Sequence, residues 1–198
     1  MSLITRATLL LSTLAFVAAC GEKKSENTMA DSTAMTSDTT AMAPAEAAPL
    51  TDPNIVYILD QASASDSARG ALAQTKATSK DVQDFGKMMV GEHHGLRTAG
   101  LDLAKKLSVT PMAPAGDQSE TMAAQEMSLL ESTAKGAAWD KAYIDYEVTY
   151  HQAVLETATK ALGIAQNQEL KDLISTAAPV LQKHLDRALE LQKKMSAM

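Results

Sequence analysis

From Ile55 onward the apolar residues recur at steps of three and four, the spacing that lines one face of an α-helix. Strand-like alternation is almost absent. Start and stop signals cut this pattern into four long segments and one short one. "TDPNIVYILDQ" offers Asp52 as N-cap and Pro53 at the first helical position, opening a helix to about Lys76 with a stripe of Ile55, Leu59, Ala62 and Ala73. Ser79 caps a second helix reaching about Leu107, along Val82, Phe85, Met89, Leu96, Ala99 and Leu103. "SVTPMAPAG" then breaks the chain, and "DQSE" from Asp117 is a capping-box pattern for a shorter third helix ending near "AKGA". A fourth helix runs from about Ala138 to Leu162 along Trp139, Tyr143, Tyr150, Val154 and Ala161, where "LGI" reads as a glycine C-cap. Asn167 caps a fifth, along Leu170, Ile174, Ala177, Leu181, Ala188 and Met195. Pro179 inside it predicts a kink that frees the carbonyl of Ser175. Two long hairpins joined by a connection with a short helix predict an all-α fold: a ferritin-like four-helix bundle with a short extra helix in the crossover. The same pattern also permits a plain five-helix up-down array.

Each long helix carries an ionisable residue on its inward face. At about 100° per residue, Glu92 falls within roughly 40° of the second stripe's centre, His93 at its edge, and His94 nearly opposite. Glu147 and His151, four apart, share the inward face of the fourth helix. His184 lies within the fifth stripe and Asp66 in the middle of the first. Asp66 and Glu92 lie 12 and 14 residues from the first hairpin turn near 78, about 18 and 21 Å along their helices. His151 and His184 lie 15 and 18 residues from the second turn near 166, about 22 and 27 Å. All therefore converge about halfway along the bundle. Buried ions cannot be left bare, because an unpaired charge costs many kcal/mol. Either Asp66, Glu92, His93, Glu147, His151 and His184 converge on a metal ion, or they form a buried hydrogen-bond network with Arg69 supplying positive charge. Ligands of nitrogen and oxygen without thiolate suit zinc, copper or iron.

The rest of the chain narrows the function. A formal net charge of −6 argues against nucleic acid as a partner. No glycine-rich phosphate loop and no serine-nucleophile elbow is present. At the N-terminus, Arg6 precedes "ATLLLSTLAFVAA", a signal peptide over residues 1–19 whose apolar part is too short to span a membrane stably. "VAAC" looks like the lipobox of bacterial lipoproteins, which makes Cys20 the lipidated first residue of the mature chain. A plain secretory signal cleaved near Ala19 is the alternative, and it would leave a free thiol in an oxidising compartment. Gly21 after the cysteine is similar to the outer-membrane sorting pattern of enterobacteria. Residues 20–50 then read as the lipidated cysteine and a disordered tether, because their Ser, Thr, Ala, Asp and Met have no apolar period. Met29, Met35 and Met42 recur within it, as spacing for Cu(I) or, more simply, as part of a hydrophilic spacer. Cys20 is the only cysteine, so the folded part, 51–198, holds neither a disulfide nor a zinc-thiolate site. These features predict a lipid-anchored envelope protein at the outer membrane facing the periplasm, with the membrane as its partner.

"FGKMMVGEHH", "YIDYEVTYHQAVL" and "PVLQKHLDRAL" resemble the signature stretches of the bacterial family catalogued as domain of unknown function 4142. The resemblance covers about residues 53–195. It implies a secreted or lipid-anchored ferritin-like bundle, with the family's acid–histidine pair at Glu92-His93, single histidines at His151 and His184, and an acid at Asp66. Glu92 stands where the family more often has Asp. The resemblance names no reaction. A more distant likeness to secreted ferritin-like proteins with paired Met and His keeps copper among the candidates. The chain departs from a di-iron pattern: Glu147-x-x-x-His151 is one residue too long for Glu-x-x-His, and no Glu precedes His184 by three. No nucleophile–base pair stands out, so the chain reads as a binding protein rather than an enzyme.

Overall fold

The computed structural model describes residues 49–197, which form an all-helical domain with no strand among the described residues. The predicted signal peptide, Cys20 and nearly all of the tether lie outside the described residues. The five helices are α1 (Asp52–Lys76), α2 (Lys80–Leu107), α3 (Ser119–Ser132), α4 (Ala137–Ile164) and α5 (Gln168–Ser196). None is long and apolar enough to cross a membrane.

The helix ends differ from the sequence reading in three places. Thr51, not Asp52, is the N-cap of α1, and its N–H donates to Asn54 Oδ1 at 3.0 Å. The Asp52 carboxylate instead accepts from the N–H groups of Gln166 and Asn167, at 2.8 and 2.9 Å, in the turn between α4 and α5. Gly163 is not a C-cap: α4 continues through it to Ile164, and Ala165 is the C-cap, its N–H donating to the Ala161 carbonyl. Gln118 occupies the cap position of α3, while Asp117 accepts from the Ser119 hydroxyl at 2.7 Å. Asn167 caps α5 as the sequence predicts, its side chain accepting from the N–H groups of Glu169 and Leu170. The helix runs on through Pro179 without interruption.

Contacts at the two ends fix the helix directions. At one end, Asn54 Nδ2 donates to the Met112 carbonyl at 2.9 Å, beside the α4–α5 turn tied by Asp52. At the other, Asp140 near the start of α4 accepts from the N–H groups of Thr78 and Ser79, in the α1–α2 turn. Lys194, near the end of α5, pairs with Asp81 there. The connection from α2 to α4 therefore runs the length of the domain. It starts with Asp117 near Tyr57 and ends with the Leu130 carbonyl accepting from Lys76 and from Trp139 Nε1. As a result α2 and α4 run in the same direction.

Two apolar clusters divide the interior. One, nearer the α1–α2 turn, holds Phe85, Met89, Trp139, Tyr143, Ile144 and Leu191. The other holds Ile55, Val56, Ala104, Ala161, Leu170 and Ile174. Each large side chain so buried contributes about 1.5–3 kcal/mol. Asp66, Arg69, His93, Glu147, His151 and His184 lie near mid-helix with apolar packing towards both ends, so they form a polar belt; Asp140 is buried apart from it, at the α1–α2 turn.

Close contact of α1 with α2 sets the belt's geometry. A Cβ on Gly70 would lie 2.6 Å from the Gly86 carbonyl oxygen, and one on Gly86 would lie 2.6 Å from that of Gly70. The two backbones meet where no side chain fits. This approach also corrects the predicted phase of α2. Its buried track is Val82, Phe85, Gly86, Met89, His93, Gly100 and Ala104, and Ala99 is exposed. The stripe is centred on His93, with Glu92 at its edge, because two glycines carry no apolar weight in the pattern yet face the interior.

Candidate metal centre

Three helices each send one imidazole into the belt: His93 from α2, His151 from α4 and His184 from α5. All are at most 1% exposed. Their ring centroids are 4.9 Å apart for His93–His184, 5.3 Å for His151–His184 and 5.8 Å for His93–His151. One ring nitrogen from each lies within 4.8 Å of the other two. An equilateral triangle of that largest side has its centre about 2.8 Å from each corner, against a Zn–N bond of about 2.0–2.1 Å. Inward movement of about 0.7 Å or less would therefore bring all three to bonding distance.

Their remaining nitrogens face carboxylate or carbonyl oxygens. His151 Nδ1 lies 2.9 Å from the backbone carbonyl of Glu147, one turn earlier, and 3.3 Å from Glu147 Oε2. His184 Nε2 lies 2.9 Å from Glu92 Oε2. His93 Nε2 lies 3.3 Å from Asp66 Oδ2, too poorly aligned for a hydrogen bond. With Nδ1 of His151 and Nε2 of His184 as the N–H positions, the opposite nitrogens carry lone pairs. Those nitrogens, His151 Nε2 and His184 Nδ1, have no partner, and neither does His93 Nδ1. Protein metal sites repeat this arrangement, in which the second nitrogen of a ligating histidine is held by a carboxylate or carbonyl oxygen.

Electrostatics keep two of the rings neutral. Burial, together with the charges of the neighbouring histidines, lowers His93 to about 3. Burial also lowers His184, to about 4, and outweighs the opposing pull of Glu92. His151 moves the other way: burial lowers it, but Glu147 and Asp66 beside it raise it further.

The carboxylates are engaged elsewhere. Arg69, 1% exposed, donates from Nε to Glu147 Oε1 at 2.9 Å and from Nη2 to Asp66 Oδ1. Its guanidinium carbon lies 4.8 and 4.3 Å from the ring centroids of Tyr146 and Tyr150, within cation–π range. Burial alone would raise Glu147, but Arg69 and His151 hold it down at about 2. Asp66 is pushed up to about 7 by burial and by Glu147, against the pull of Arg69. Asp66 Oδ2 and Glu147 Oε2 remain buried without a hydrogen-bond partner.

The six residues predicted as one ligand set thus fall into three parts. His93, His151 and His184 form the imidazole cluster. Asp66 and Glu147 share Arg69. Glu92, 31% exposed, stands outside the triangle between His184 and Lys183, whose Nζ lies 2.6 Å from Glu92 Oε1. His94 is exposed, as the helical phase predicts. Tyr146, Tyr150 and Lys183 had no place in the predicted ligand set. Arg69 stood as counter-charge to Asp66, but its pairing with Glu147, from another helix, has no local signal. Beside Tyr146 and Tyr150, an apolar cavity of about 390 Å³ opens between α1, α3 and α4. None of the six residues lines it.

Residues 36–191 match the family described as Domain of unknown function (DUF4142). No curated protein and no solved structure matches the chain.

Proposed function

The chain belongs to the DUF4142 family, and we propose that it is a lipid-anchored envelope protein whose bundle binds one transition-metal ion through His93, His151 and His184. The observation that carries this reading is one ring nitrogen from each of three helices within 4.8 Å of the other two, in a cluster where every ring has at least one buried nitrogen without a partner. Leaving a buried polar group unpaired costs about 1–3 kcal/mol, and one ion would satisfy one nitrogen of each ring at once. Glu92 and Glu147 orient two of the ligand rings, while Arg69 neutralises the carboxylate side. Three nitrogen ligands suit Zn²⁺, Cu²⁺ or Fe²⁺, and such an ion would supply Lewis acidity or, for copper and iron, redox capacity. Without a nucleophile–base pair, the role is metal handling or stress protection rather than catalysis.

The fold read here is the ferritin-like four-helix bundle, with α3 in the crossover. Its support is the parallel course of α2 and α4 and the long connection between them. Anchorage through Cys20 at the outer membrane, facing the periplasm, rests on "FVAAC" and the polar segment after it.

A second reading, a non-catalytic envelope adaptor whose polar belt only fixes helix register, is favoured by one observation. Arg69 already pairs with both buried acids. Elemental analysis of the purified protein after dialysis against Zn²⁺ or Cu²⁺ separates the two. One equivalent per chain supports the metal site, and none leaves the adaptor.

A further inference from the structure

The imidazole cluster leaves a second group of ligand atoms beside it. One oxygen each of Asp66 and Glu147 and one nitrogen of His151 lie within 4.8 Å of one another, all fully buried. Two carboxylates and an imidazole are a donor set for a divalent ion in their own right. In this chain a different cation serves them. Arg69 reaches Asp66 Oδ1 from Nη2 and Glu147 Oε1 from Nε, so its planar fork bridges the two acids. Tyr146 and Tyr150 hold the guanidinium from the side.

We propose that Arg69 is a built-in cation filling a second metal position, and that it keeps the centre mononuclear. An ion bound by Asp66 and Glu147 would compete with the guanidinium for the same carboxylate oxygens. It would also lie next to a fixed positive charge in a site of low dielectric, where repulsion is strong. Two oxygens that Arg69 does not use, Asp66 Oδ2 and Glu147 Oε2, stay buried without a hydrogen-bond partner. Taking Arg69 away would leave both acids without a cation and open the position. The proposal rests on the metal reading of the imidazole cluster only for the first ion. The second is a property of Asp66 and Glu147, with His151 available to it only where the first position is empty.

The test counts metal. Wild-type protein, Arg69→Lys and Arg69→Gln are dialysed against Zn²⁺, and bound zinc is measured per chain. The proposal expects one equivalent in the wild type, one in Arg69→Lys, which keeps the charge, and two in Arg69→Gln. Adding Asp66→Asn to Arg69→Gln should return the count to one. Two equivalents in the wild type, or no gain in Arg69→Gln, would overturn it. A wild type with none and an Arg69→Gln protein with one would sink the three-imidazole reading and leave this proposal standing. Should Arg69→Gln fail to fold alone, it is refolded with Zn²⁺. Recovery of helical signal with two bound ions supports the proposal, and failure to recover overturns it.

Discussion

Replacing His184 by alanine should remove the metal-dependent part of the protein's stability while leaving the fold in place. The unfolded chain has no assembled site, so an ion bound only by the native state stabilises it by mass action. At a free ion concentration one hundred times the Kd, this amounts to about 2.7 kcal/mol. For a domain of this size about 1 kcal/mol moves the melting temperature by ~2–4 °C, so the wild type should gain about 5–11 °C with metal. His184→Ala deletes one of three ligands and frees Glu92, which keeps Lys183 at 2.6 Å. The substitution also empties space in the core, so the metal-free melting point falls as well. The quantity to compare is therefore the increment on adding Zn²⁺ or Cu²⁺, measured by thermal melts with and without ion. His184→Ala and His151→Ala should each lose most of it. His94→Ala, altered at an exposed position of the same helix turn as His93, should lose none. Equal increments in the His94 and His151 variants would refute the site, because burial and helical phase are what separate them.

Three further outcomes follow from the same geometry. In the metal-free protein, burial holds His93 and His184 to about 3 and 4, so their ring resonances should not titrate between about pH 5 and 8. Because these folded values lie below the unfolded value near 6.5, the unfolded chain takes up protons first as pH falls. Their stability contribution is full above about 6.5 and is lost as pH drops towards 4 and 3; a ring midpoint near 6.5 by NMR would contradict it. Gly70→Ala should destabilise by about 1–3 kcal/mol, since its Cβ meets a carbonyl oxygen at 2.6 Å, whereas Gly91→Ala, with open space, should stabilise by about 0.5–1 kcal/mol. Denaturant melts giving both variants the same sign would count against the close α1–α2 approach. Cys20→Ser should abolish lipid labelling and release the protein from the membrane fraction; unchanged fractionation would remove the anchor.

Much of the fold was legible because apolar spacing of three and four survives along every long helix, and because Ser79 and Asn167 are strong start signals. What escaped is what depends on partners far along the chain. Asp52 and Thr51 are adjacent cap-type residues, and nothing local says that Asp52 is wanted by a turn more than a hundred positions later. Gly163 carries a stop signal that tertiary packing overrides, with Ala161 and Ala165 buried on either side of it. The inward set of ionisable residues was legible from phase and height, since Glu147 and His151 share a face and all lie mid-helix. Its internal division was not. Gly86 and Gly100 add nothing to an apolar count, so the stripe of α2 was centred too near Glu92 and too far from His93.

The polar belt holds two problems with different solutions. On the carboxylate side, Asp66 and Glu147 already have a cation, and Arg69 satisfies one oxygen of each. A structural network accounts for the paired oxygens on that side, although Asp66 Oδ2 and Glu147 Oε2 stay buried without a partner. On the imidazole side it explains less. Register could be fixed by apolar residues at positions 93, 151 and 184, as it is one or two turns away in both apolar clusters. Instead three rings are buried with nitrogens that lack partners, at about 1–3 kcal/mol each, in a fold whose total stability is about 5–15 kcal/mol. A structural role gains nothing from that arrangement. A ligand set requires it, because the lone pairs must be free and converging; burial keeps protons off His93 and His184, while at His151, which Glu147 and Asp66 raise, an incoming ion must displace one.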